Sequence, residues 1–223
     1  IRLKRNCRNI TLKNLELLHL PGGAITNLIT AGTDYVRAIT IADSRFEHID
    51  NQGIELMRGY TWRHADAQPK GRLSYVYIYR NKLHDIGLRS ANNQGGNAMD
   101  INGPEILDIA GNVISHVGGK GININGGVHM GGLMAAAVGD VPLVRMQVRH
   151  NLVRDALLLV SDFGNFEFWQ AGPMYMYGNV SINPVGTVMH RNAYHKNEAF
   201  YFDHGHKGYL FNNIGWSDSR QDA

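Results

Sequence analysis

The chain has 223 residues, 43% of them hydrophobic and 18% charged, enough for one domain with a continuous core. Its 22 basic and 19 acidic residues are interspersed and leave a net charge of +3, which permits an anionic substrate and does not call for nucleic acid. The single cysteine, Cys7, excludes an internal disulfide framework, and no apolar run reaches the length of a membrane-spanning helix.

In chain order, Ile10–Leu17 is a degenerate first copy of a motif that returns at Ile39–Phe46, Val76–Leu83, Leu107–Ile114, Met146–Val153, Met174–Ser181 and Gly208–Gly215. The six later copies read apolar, any, apolar, two variable residues, then usually asparagine; Ser44 stands there in the first of them. The second apolar position falls at Ile41, Ile78, Ile109, Val148, Met176 and Leu210, giving steps of 37, 31, 39, 28 and 34 residues. A constant strand motif at changing spacing means loops of variable length on a regular frame. Period-two alternation punctuated by Gly and Asn predicts strands, and no dozen residues keep a helical period. A hairpin meander would not return the same asparagine (Asn81, Asn112, Asn151, Asn179, Asn213) to the same corner. A coil would, because asparagine tolerates unusual backbone angles and its amide reaches the next coil. The prediction is a solenoid of parallel strands with apolar columns stacked inside.

These strand templates and the asparagine ladder resemble the right-handed parallel β-helix of the pectate-lyase-like superfamily, over nearly the whole chain. The resemblance implies an all-β solenoid, residues 1–223 forming one domain of six to seven coils. Ile1-Arg-Leu-Lys lacks an initiating Met and starts inside a strand-like coil, and Trp216–Ala223 carries no capping element, so the expectation is a piece of a longer helix.

The second strand of each coil carries the chemistry. Met99-Asp-Ile-Asn-Gly103 matches Ile122-Asn-Ile-Asn-Gly126, and Phe202-Asp-His-Gly205 is matched to Ser161-Asp-Phe-Gly164. This alignment predicts an outward column of Glu55, Asp100, Asn123, Asp162 and Asp203. Neighbouring coils lie about 4.8 Å apart, so Asp162 and Asp203 are expected at roughly 5 Å, where one pKa should rise and the two could divide into acid and base. Nearby in the chain, Glu167 and His190 are candidates to tune or join the catalytic pair, and Trp169, Asp100, His204, Lys207 and Asn123 to bind substrate. Trp169 offers a flat face to a pyranose ring, though its alternating run also suits a core. His204 and His206 share a face, but no third soft ligand is placed, so no metal site is expected. His195 and His206 read more readily as solvated loop residues than as site residues. Gly118–Gly121 and Gly126–Gly132 read as turns, and Gly131–Gly139 as an inserted loop walling a cleft.

Glu167–Gln170, Gly172-Pro173, Tyr177–Asn179, Phe200–Asp203 and Phe211–Trp216 look like segments of bacterial β-helix glycoside hydrolases with fucosidase or xylanase activity. That resemblance implies a catalytic aspartate pair, here Asp162 and Asp203. The Asn-Thr-Asp and Asp-Asp signatures of polygalacturonases are absent. The leading expectation is a glycoside hydrolase without a cofactor, acting on a polysaccharide or oligosaccharide. An alternative is a Ca²⁺-dependent lyase of uronic-acid glycans, in which the acids hold calcium and Lys120, Arg149, His190 or Lys207 removes the C5 proton. A third is a non-catalytic glycan binder of the tailspike or adhesin type. The resemblance places the protein outside the cytoplasm, secreted, periplasmic or on the cell surface, with no membrane or nucleic-acid partner.

Overall fold

The computed structural model describes residues 1–29, 32–57, 71–89, 96–125, 145–169, 173–186, 197–203 and 208–217. Within them the chain is an all-β parallel β-helix: three seven-stranded parallel sheets, each coil supplying one strand to each sheet. Sheet A stacks β1 (Arg2–Leu3), β4 (Ile25–Asn27), β7 (Ile54–Met57), β10 (Met99–Asn102), β13 (Ile122–Asn125), β16 (Phe163–Trp169) and β19 (Asn197–Asp203). Sheet B stacks β2 (Cys7–Lys13), β5 (Tyr35–Ala42), β8 (Arg72–Tyr79), β11 (Ile106–Ala110), β14 (Arg145–Arg149), β17 (Met174–Tyr177) and β20 (Gly208–Phe211). Sheet C stacks β3 (Glu16–Leu20), β6 (Arg45–Ile49), β9 (Lys82–Ile86), β12 (Val113–Val117), β15 (Leu152–Ala156), β18 (Val180–Pro184) and β21 (Ile214–Trp216).

The repeat read from the sequence is the register of sheet B: Leu12, Ile41, Ile78, Ile109, Val148, Met176 and Leu210 form one inward column. From Ile41 to Val148 that column is fully buried, and similar columns from the other two sheets close one continuous core. In sheet A the core turns aromatic towards the last coils, where Phe166 stacks on Phe200 at 5.1 Å and Phe168 meets Phe202 edge-on at 5.3 Å.

The asparagines occupy the corner between sheets B and C, and each closes two bonds. The Asn112 amide donates to Ile78 O at 2.9 Å, while its Oδ1 accepts Asn81 N at 2.9 Å; Asn151 and Asn179 repeat this coil by coil. Buried backbone groups that the corner would orphan are thereby satisfied. One detail corrects the expectation. The left-handed backbone belongs to the residue before each asparagine: Arg80, Gly111, His150, Gly178 and Asn212 all have φ between 53° and 67°. The asparagine is there for its amide alone.

Candidate functional site

Sheet A strands alternate strictly. Ile54, Leu56, Met99, Ile101, Ile122, Ile124, Phe166 and Phe168 point into the core, so the residues between them face outward. Register then sets one outward column as Thr26, Glu55, Asp100, Asn123, Glu167 and Tyr201. The next column is Met57, Asn102, Asn125, Trp169 and Asp203.

Glu55, Asp100 and Asn123 thus fall where the sequence alignment places them, and Glu167 joins them. Asp162 and Asp203 are not the register partners that the alignment expects. Asp203 lies in register with Trp169, and Asp162 precedes β16 at an exposed bend with φ 69°. The Asp-Phe-Gly and Asp-His-Gly runs look alike, but Phe202-Asp203 is the partner of Phe168-Trp169. The two aspartates still share a neighbourhood: burial raises the Tyr201 hydroxyl pKa, and the charges of Asp203, Asp162, Glu167 and Glu198 add to the rise. Trp169 faces outward and is half-buried. His190, His195, His204, His206, Lys207 and the Gly126–Gly139 stretch lie outside the described residues.

Although it faces outward, the centre of the first column is withdrawn from solvent. Asp100 is 7% exposed, Asn123 2% and Glu167 4%. Charges at such depth need partners. Lys120, 4% exposed, supplies one: its Nζ lies 2.8 Å from Glu167 Oε1 and 4.0 Å from the centre of the Phe163 ring. Asp100 accepts the amides of Asn97 at 3.1 Å and Asn123 at 2.9 Å. Asn97 itself belongs to a short second ladder at the corner leading into sheet A, donating its backbone N–H to Gln52 Oε1 and accepting that of Lys120. Lys120, Asn97 and Gln52 are the residues that the column alignment misses. Gly-Gly-Lys-Gly reads as a turn, and nothing local says that its lysine reaches a glutamate on the neighbouring strand of sheet A.

The electrostatics are lopsided, with one ammonium, Lys120, acting on Glu167 and Asp100 and none on Glu55. Burial raises the Glu167 pKa, opposed by Lys120 and by the Gly164 N–H. Burial also raises Asp100, opposed by Lys120 and the two asparagine amides. Glu55 is raised by burial and further by the charge of Asp100, with no cation opposing. Burial thus raises both neighbours, and Asp100 alone has a cation and two amides working against the rise. Two side-chain oxygens of sheet A could contact a hard cation: Asn102 Oδ1 and Asn123 Oδ1 are buried without a hydrogen-bond partner. Asn123 presents its amide nitrogen, not this oxygen, to Asp100, and among the described residues no group of three His, Cys, Asp or Glu side chains could hold a metal ion.

No family model, curated protein or solved structure matches this chain.

Proposed function

We propose that the protein is a glycoside hydrolase working on the outward face of sheet A, with Glu55 as the acid and base and Asp100 as the nucleophile. The observation that carries the reading is the Glu55–Asp100 pair, in register on adjacent strands, both raised by burial but only Asp100 with Lys120 and two asparagine amides opposing the rise. Two carboxyls whose environments push them apart divide naturally into a proton donor and an anion. Strand spacing sets their Cα atoms about 4.8 Å apart, close to the roughly 5–5.5 Å between carboxyls in retaining enzymes. Glu55 would protonate the departing glycosidic oxygen while Asp100 attacks the anomeric carbon. Water, deprotonated by Glu55, would then release the sugar from the aspartyl ester.

The remaining residues take supporting roles. Lys120, fixed by Glu167, places a positive charge that favours ionised Asp100. Trp169, one column over, offers its ring to a pyranose, with Asp203 beside it to accept sugar hydroxyls. In this reading Glu55 and Asp100, rather than Asp162 and Asp203, form the catalytic pair. Elimination with Lys120 as base fits less well, because a base must be free to take a proton and this ammonium is already committed to Glu167. The substrate is a polysaccharide or oligosaccharide met outside the cytoplasm.

The test follows new reducing ends and the ultraviolet absorbance of a conjugated double bond together, on a panel of neutral and uronic-acid polysaccharides. Reducing ends without absorbance support hydrolysis. Both signals rising together would replace it with elimination, and binding without either signal would make the protein a glycan binder.

A further inference from the structure

On sheet B the cationic side chains mostly have acids to meet. Arg72 is gripped by both oxygens of Glu105, Arg80 by Asp43, and Arg149 by Asp108. Three exposed arginines of sheet B take part in no ion pair among the described residues; Arg145 turns to the Gln147 side chain, and Arg8 and Arg37 stand together. They are register partners on β2 and β5, so their backbones lie about 4.8 Å apart along the solenoid. Arg37 is held in place by an aromatic ring, its guanidinium carbon 4.9 Å from the centre of Tyr75.

The surface around the two arginines is concave on both sides. One hollow of about 340 Å³ is lined by Arg8, Asn9, Arg37, Ala38, Tyr75 and Tyr77. A second of about 290 Å³ shares Arg8 and Arg37 and continues to Thr33, Tyr35 and Arg72, over buried Asp34. The backbone creates the first hollow. Asn9, Ala38 and Tyr75 are all left-handed, with φ 55°, 55° and 56°, so consecutive residues of each strand turn outward. The small Ala38 leaves room between the arginines and the Tyr75 ring.

We propose that this face is a binding site for an acidic polysaccharide, separate from the sheet A site and independent of what that site does. Two guanidinium forks at strand spacing can each take a carboxylate or sulfate oxygen pair. The tyrosine faces beside them suit the apolar face of a sugar ring. Nucleic acid fits less well, since phosphate-backbone binding rests on an extended basic stripe, and here two free arginines stand in a chain of net charge +3.

The test uses the full chain carrying Glu55→Gln, so that binding is read without cleavage. Its affinity is measured for polygalacturonate, dextran sulfate, neutral dextran and single-stranded DNA, before and after R8A/R37A. The charge-matched double change K82A/R154A on sheet C serves as control. The expected result is binding to one or both acidic polysaccharides, weakened about tenfold or more by R8A/R37A and left unchanged by the control. Loss on polygalacturonate alone identifies a uronate carboxylate as the ligand group; loss on dextran sulfate alone identifies a sulfate ester. The proposal is overturned by equal binding to neutral dextran, by an equal loss in the control, by tighter binding of DNA, or by acidic-glycan affinity indifferent to both arginines.

Discussion

Replacing Lys120 with Met should expose how the sheet A site is held together. Lys120 and Glu167 are both 4% exposed and meet at 2.8 Å, so the change leaves a carboxylate buried without its cation. Breaking a buried pair from one side costs about 3–5 kcal/mol, a large share of the roughly 5–15 kcal/mol that keeps a domain folded. The methionine keeps most of the packing against Phe163, so the loss is chiefly electrostatic. Its pH dependence has a definite sign. Burial raises the Glu167 pKa in the folded chain, so the stability linked to this group is complete below the unfolded value of about 4.3 and declines as the pH rises through the folded value. Lys120 restrains that rise; without it the decline extends to higher pH. Urea melts should therefore show a deficit of several kcal/mol at about pH 8 that shrinks markedly at about pH 4.5. K120M/E167L should recover most of it, because a buried pair is often replaceable by apolar groups. A deficit below about 1 kcal/mol, or one equal at both pH values, would refute the account.

Other consequences follow from the same geometry. Asn112→Ala removes the acceptor of the Asn81 N–H and the donor to Ile78 O in a fully buried corner, and should cost about 2–4 kcal/mol in the same melts. Asn213→Ala, at the half-buried last rung, should cost about 1 kcal/mol. Gly121→Ala would drive a methyl against the Val153 side chain and to within 2.8 Å of the Asn165 carbonyl, a loss of about 1–3 kcal/mol. In D100N the charge that raises Glu55 is gone, so carbon-detected NMR titration should find the Glu55 carboxyl closer to its ordinary value than in the wild type.

Much of the fold is legible in the sequence because each rule repeats. The inward column from Leu12 to Leu210 follows from period two, and the asparagine corner from its recurrence. The middle of the site is legible for the same reason, since Met-Asp-Ile-Asn and Ile-Asn-Ile-Asn superpose without a gap. The upper part is not. Matching Asp203 to Asp162 places the β16 alignment five residues before Glu167, and an odd slip turns every side chain to the other face. Phe166-Glu-Phe-Trp169 carries the alternation that decides the register, but the recurrence of Asp-x-Gly looks stronger locally. Lys120 is legible only as a candidate base; its pairing is not, because Glu167 and Phe163 lie more than forty residues away along the chain.

The most direct measurement compares glycan cleavage by four single variants, E55Q, D100N, D162N and D203N, each verified as folded by its urea melt. If the site is the Glu55–Asp100 pair, E55Q and D100N lose about 10³-fold or more in kcat. D162N then keeps near wild-type turnover, and D203N changes chiefly KM. Full activity in D100N together with loss in D162N and D203N would contradict the account and return the chemistry to the two aspartates outside the column.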